Sequence, residues 1–220
     1  MASRSGASYL EAIKDSREVR LGGERVNDVT SHPQLAGCAA SLAENFDIEC
    51  DPAYADLLTV KSPRTGKRVG RQWNLPRSVG DLTDGKAMME FWERHAGGML
   101  GRHPQHMAGV MLGVYGSRGD VVAVNQEWAD NIENHFDYCR ENDIAVSFAA
   151  GEPHRDRKLP PSVMDYLKVV EHRSDGIFVR VGLIAATNSI YSDEFLSTCN
   201  RRDAGQDDPI YFCVPVPPQG

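Results

Sequence analysis

No run of the 220 residues approaches the roughly 18–20 consecutive apolar positions that a bilayer-crossing helix needs. An excess of positive charge is also missing. Twenty-four lysines and arginines face 31 aspartates and glutamates, a formal charge of −7. A field of that sign disfavours general binding to nucleic acid or to an anionic membrane. The five cysteines (Cys38, Cys50, Cys139, Cys199 and Cys213) are odd in number, scattered, and never spaced as CxxC. That pattern argues against a disulfide framework and a zinc knuckle, and reads as small buried hydrophobes for the most part. Behind the opening Met-Ala-Ser-Arg-Ser-Gly stands no apolar core of a secretion signal, so a cytoplasmic protein is the default expectation. Internal repeats and low-complexity tracts are absent too. With 41% hydrophobic and 25% charged residues, the chain has the composition of one medium globular domain or two small ones.

The pattern changes near residue 144, which divides the chain into a mainly helical stretch, 1–143, and an extended one, 144–220. In the first, Tyr9, Leu10 and Ile13 sit at helical spacing after Ser5. Gly22-Gly23 between Val19-Arg-Leu21 and Glu24-Arg-Val26 reads as a small hairpin. Asp28 to Pro33 supplies caps and a proline at a first helical position, ahead of Leu35, Ala39, Leu42 and Phe46. A second ribbon is expected over 58–61 and 67–73, turned by Ser62-Pro-Arg-Thr-Gly66. Three more helices follow. One spans about 78–96 and ends at Gly97-Gly98; one starts near Pro104; the last covers about 125–142 with Trp128, Ile132, Phe136 and Cys139 in a stripe. Gly113 to Gly119 is Gly-rich but follows a helix and has no Lys-Ser/Thr, so it reads as a loop, not a phosphate cradle.

Beyond 144, strands are expected at 144–150, at 167–172 and 176–184 as a hairpin around Arg173-Ser-Asp175, and at 210–216. Helices followed by strands make an α+β class, not an alternating one. Four strands before Pro217 leave an unpaired edge, so a second chain or further sequence is expected to cover it.

Arg17-Glu-Val-Arg-Leu-Gly-Gly-Glu-Arg-Val-Asn-Asp-Val-Thr30, His32-Pro33, Asp51-Pro-Ala-Tyr-Ala-Asp-Leu-Leu58 and Gly97-Gly-Met-Leu-Gly-Arg-His-Pro104 resemble the N-terminal region of the 4-hydroxyphenylacetate 3-hydroxylase family. So do Tyr138-Cys-Arg-Glu-Asn-Asp143, Asp156-Arg-Lys-Leu-Pro-Pro161 and the Gly176-Ile-Phe-Val-Arg-Val-Gly182 hairpin, in order from about residue 5 to the end. The resemblance implies the oxygenase component of a two-component flavin monooxygenase: reduced flavin, usually FAD, arrives from a separate reductase and a phenol is hydroxylated with O2. It implies an acyl-CoA dehydrogenase-like N-terminal helical domain, then an incomplete β-barrel domain that contacts flavin. In the family a C-terminal helical bundle closes the flavin site and builds a homo-oligomer. The sequence stops short of that bundle, so weak or absent FAD binding by this stretch alone is expected.

The resemblance also carries site residues. Arg102, in Gly101-Arg-His-Pro104, matches the arginine near the phenol; it anchors an anionic substrate group or flavin edge, or else caps the preceding Gly-rich turn. Four residues on, His106 stands where the family has tyrosine, on the same helix face as Arg102 and able to exchange a proton near neutrality. Phe148 stands where the family has histidine, and phenylalanine neither donates a hydrogen bond nor transfers a proton. The flavin-contacting segment aligns with Phe148, Ala149 and Ala150, then with the loop containing His154, Arg155, Asp156 and Arg157. Arg157 pairs with a phosphate or the flavin ring, or is a solvated loop arginine. Thr187 matches a threonine that bonds the flavin, and is otherwise an ordinary strand residue.

The iron–sulfur dehydratases of the same family require cysteines near 102–106, and no cysteine lies between Cys50 and Cys139. His103-x-x-His106 lacks a third ligand nearby, so no metal is expected there. Three functional readings stand: an aromatic monooxygenase, a truncated or degenerate non-catalytic homologue, and a flavin-independent enzyme reusing the substrate cavity.

Overall fold

The computed structural model describes residues 4–98, 106–149, 158, 168–174, 176–180, 187–199 and 210–216. Helix α1 (Gly6–Ala12) opens on Ser5, whose hydroxyl accepts from the Ser8 N–H. Gly6 permits its approach to α2 (Ala36–Cys50), because a Cβ at Gly6 would lie 2.5 Å from the Ala43 carbonyl oxygen. Tyr9 stacks on Phe46 at 4.8 Å between ring centroids, and Ile13, Ala39 and Leu42 complete a core with Val19 and Val26. Each such side chain contributes about 1.5–3 kcal/mol on burial. Those two valines pair across the hairpin β1 (Val19–Leu21) and β2 (Glu24–Val26), turned by Gly22 and Gly23 at φ 62 and 91. Pro33 is not in the first turn of α2. Residues 32–36 form a separate turn, with the Leu35 and Ala36 N–H groups donating to the His32 carbonyl.

After the single turn α3 (Ala55–Leu58) comes the ribbon β3 (Thr59–Lys61) and β4 (Arg68–Gly70). The second arm is shorter than expected. Residues 71–73 coil into a 3-10 turn that buries Trp73 and sets its indole N–H 3.0 Å from an Asp143 carboxylate oxygen. Helix α4 (Val79–His95) is capped by Ser78 and halted by Gly97 and Gly98 at φ 60 and 80. Its Met88 and Trp92 bury against Leu58.

Three helices lead into the sheet: α5 (His106–Gly116), α6 (Arg118–Val122) and α7 (Gln126–Asn142). The Gly113–Gly119 stretch is therefore helical on both sides of Ser117 and not a loop, since glycine only weakens a helix that packing supports. Trp128, expected in the buried stripe of α7, is 55% exposed; Ala129, Phe136, Cys139 and Arg140 face inward. In the first turn of α7 the inward position falls to Ala129 instead.

The sheet holds β5 (Val146–Ala149), β8 (Glu194–Cys199) and β9 (Ile210–Pro215), while β6 (Lys168–Arg173) and β7 (Gly176–Arg180) pair separately with a register shift between Val169 and Glu171. β5 runs parallel to β8, and β8 antiparallel to β9. β8 was not foreseen: Glu-Phe-Leu-Ser-Thr-Cys alternates too weakly to mark a strand, yet it is central, with a neighbour on each side. No closed barrel is present among the described residues.

Candidate functional site

The candidate site is organised on β5, whose start is fixed by buried polar contacts. Asp143 ends α7 in the left-handed region at φ 51 and is buried. One of its carboxylate oxygens accepts from the Gln72 amide at 3.2 Å as well as from Trp73. Burial pushes the Asp143 carboxyl above its ordinary range, and burial together with the Asp143 charge pushes neighbouring Glu49 well above its own. The two carboxyls are neighbours inside the core, where burial disfavours the charge on each. Two residues further, Asp193 accepts from the Ala145 N–H at 2.8 Å and from both terminal nitrogens of Arg4 at 2.6 and 2.8 Å. Burial opposes the charge on Arg4, but the Asp193 hydrogen bond and charge outweigh it and raise its pKa. Both ends of the link from α7 into β5 are thus held by buried polar contacts.

Alternation then gives β5 two faces. Val146 and Phe148 turn toward Trp73, Met107, Met111, Phe136 and Leu196. Tyr115 stacks on Phe136 at 4.2 Å behind them. Ala145 joins the other core with Tyr9 and Tyr191, and Ser147 and Ala149 follow it on that face. The Ala149 carbonyl accepts the Ser197 hydroxyl at 2.8 Å, whereas the buried Ser147 hydroxyl has no hydrogen-bond partner among the described residues.

Of the residues expected to act, His106 is the first residue of α5, and α5 packs against β5. Phe148 is half-buried on the Met107–Met111 wall, and Ala149 is buried at the end of the same strand. Thr187 is exposed in a turn just before the 3-10 turn Ser189–Tyr191, which also packs against β5. Four expected positions therefore lie on three pieces of chain that meet at one strand. Arg102, Ala150, His154, Arg155, Asp156 and Arg157 lie outside the described residues. Sequence reasoning missed Ser147, Ser197 and Asp193. Only Asp193, next to Ser192 and before an apolar pair, carried a turn signal that could have found it. A groove of about 630 Å³ lined by Ile48, Tyr54, Leu57, Phe91, Arg94 and His95 shares no residue with the β5 clusters.

An α-helix and a 3-10 turn packed against β5 define a mixed helix-and-sheet scaffold with an apolar wall. Residues 5–220 match the family model described as 4-hydroxyphenylacetate 3-hydroxylase N terminal, and the chain belongs to that family. It is 34% identical to the oxygenase component of a 4-nitrophenol 4-monooxygenase/4-nitrocatechol 2-monooxygenase from Rhodococcus opacus, over 97% of this chain and 42% of that one. It is 30% identical to a 4-hydroxybutyryl-CoA dehydratase/vinylacetyl-CoA-Delta-isomerase from Clostridium aminobutyricum, over 96% of this chain and 44% of that one. The solved oxygenase component of 4-hydroxyphenylacetate 3-monooxygenase in complex with FAD and 4-hydroxyphenylacetate superposes with a TM-score of 0.85 at 30% identity, over 96% of this chain and 44% of that one. The chain spans less than half the length of these relatives.

Proposed function

We propose that the chain is the substrate-facing part of a flavin-dependent aromatic monooxygenase, the oxygenase component of a two-component system that takes reduced FAD from a separate reductase and hydroxylates a small phenol. The observation that carries this reading is the packing of α5 on β5. It sets the backbone of His106 and the ring of Phe148 on the two elements that make one apolar wall with Met107, Met111 and Leu196. In an acyl-CoA dehydrogenase-like arrangement, residues 1–143 supply the helical side of that wall, and 144–220 its strand side together with the flavin contacts.

The described residues fit a flavin ring edge. Ala149 is small, Thr187 is exposed, and the Ser147 hydroxyl has no hydrogen-bond partner among the described residues, a place that a polar ring atom would fill. When bound, reduced flavin supplies the electrons that activate dioxygen. The chain's own residues do the rest. Met107, Met111 and Phe148 exclude water, Arg102 orients the substrate, and an imidazole nitrogen of His106 takes the phenol proton. Ala150, His154, Arg155, Asp156 and Arg157 join Thr187 in holding the cofactor. Phe148 moves no proton, which favours a second reading: a cavity that binds an aromatic ligand without oxygenating it.

Turnover separates the two. The chain is joined after residue 220 to the remaining length of the Rhodococcus opacus relative and given reduced FAD, labelled dioxygen and a panel of para-substituted phenols. The first reading predicts one labelled oxygen atom in a catechol product, a rate about 10²-fold lower in His106→Ala, and continued turnover in Phe148→His. A folded, flavin-loaded protein that labels no phenol, with or without Phe148→His, supports the second reading.

A further inference from the structure

On the α7 side of the sheet, four side chains outside the flavin assignment point into one space. His135 and Cys139 are four apart on α7, so they lie on one face one turn apart. Cys213 of β9 is paired with Leu196 of β8, and Glu194, two residues before Leu196, projects from the same sheet face as both. The result is tight: the nearest ligand atoms of His135, Glu194 and Cys213 all lie within 4.8 Å of one another. His135 Nε2 sits 2.7 Å from Glu194 Oε2 and 3.6 Å from Cys139 Sγ. All four side chains are at least partly buried, and Cys139 is fully so.

We propose that His135, Cys139, Glu194 and Cys213 bind one zinc-class divalent cation that clips α7 to the β8–β9 pair. Zinc accepts imidazole nitrogen, carboxylate oxygen and thiolate sulfur in a tetrahedron, with bonds of about 2.0–2.3 Å. That geometry sets neighbouring ligand atoms about 3.3–3.8 Å apart, against 2.7 Å between His135 and Glu194, 3.6 Å between His135 and Cys139, and at most 4.8 Å within the His135–Glu194–Cys213 trio, which Cys139 joins by a side-chain shift. Two thiolates and a soft-borderline ligand set select zinc over calcium or magnesium, which take oxygen. On binding, each thiol gives up its proton to solvent, and the proton between His135 Nε2 and Glu194 Oε2 passes to solvent from an imidazolium or to Nδ1 of a neutral ring, so that a neutral imidazole and a carboxylate face the metal. No ligand spacing in the sequence announces the site, because its members come from one helix and two strands brought together only by folding. It uses none of the residues assigned to oxygenation, so either proposal can fail alone.

Zinc is added to the reduced, metal-free protein and the metal's surroundings are read by X-ray absorption. The expected result is one zinc per chain with two sulfur and two nitrogen or oxygen neighbours, and a thermal midpoint raised by roughly 5–10 °C at a hundredfold excess over the dissociation constant. Cys213→Ser reduces the sulfur count to one and weakens binding at least 100-fold, whereas Cys38→Ser, an exposed cysteine elsewhere, changes neither. Zinc surrounded by nitrogen and oxygen alone, or an unmoved midpoint at saturating zinc, overturns the proposal. These wild-type readings decide the matter even if the Cys213 variant fails to fold.

Discussion

Glu49 and Asp143 concentrate an unusual amount of electrostatic tension in two side chains. Both are buried, both sit above their ordinary pKa, and both contact the Gln72–Trp73–Arg4 group that anchors the start of β5. In the unfolded chain Glu49 ionises near 4.5, whereas in the folded protein it keeps its proton to higher pH. Folding therefore binds a proton in that window, and the stability the proton supplies is present below pH 4.5 and is lost as pH rises toward the folded value. Glu49→Gln keeps a donor for Asp143 and removes the titration. Its stability relative to wild type should rise with pH above 4.5 by up to about 1.4 kcal/mol per pH unit, measured by urea unfolding across a pH series. A difference that stays flat with pH contradicts the proton retained on Glu49. Residue-level reading of the sequence had no access to this pair, since nothing local marks two carboxyls at positions 49 and 143 as neighbours.

Elements were far more legible. The hairpin at Gly22-Gly23, the Ser78 cap and the Gly97-Gly98 stop all appear where turn chemistry puts them, because glycine and cap residues act within a few positions of themselves. Errors arose where tertiary packing overrode local signals. Trp73 left its strand for a 3-10 turn to reach Asp143, the glycines at 113 and 116 stayed helical, and β8 became a central strand despite a weak pattern. Helix α7 carries the most weight of any element, since Phe136 and Cys139 lie in the core under β5 and its last residue leads into Asp143. The Asn125 side chain caps it by accepting from the Trp128 N–H at 3.2 Å. Asn125→Ala should cost about 1 kcal/mol of unfolding free energy. A change below a few tenths of a kcal/mol in chemical denaturation would show that α7 is held by packing alone.

At the scale of the molecule, the N-terminal segment is tied to residues 190–193. Arg4 pairs with Asp193, the Tyr9 hydroxyl donates to the Tyr191 carbonyl at 2.7 Å, and Arg17 donates to the Ile190 and Ser192 carbonyls at 2.8 and 3.1 Å. These contacts hold the Thr187–Tyr191 turn against β5, where α5 arrives from the opposite face. Family membership was legible because whole motifs survive in order; the pocket roles proposed for His106 and Phe148 rest on comparison with those motifs. Ser147 escaped notice because a serine in a short strand announces nothing until its hydroxyl is seen buried without a partner among the described residues. The account stands on the chain forming the front of a flavin site that the rest of its relatives' length completes. Anaerobic titration with reduced FAD, followed by flavin fluorescence, measures this directly on the chain alone and on the chain joined after residue 220 to a relative's remainder. The account predicts weak or absent uptake by the first and saturable uptake by the second, tightened by a para-substituted phenol. Tight uptake by the chain alone, or none by a folded joined protein, would contradict it.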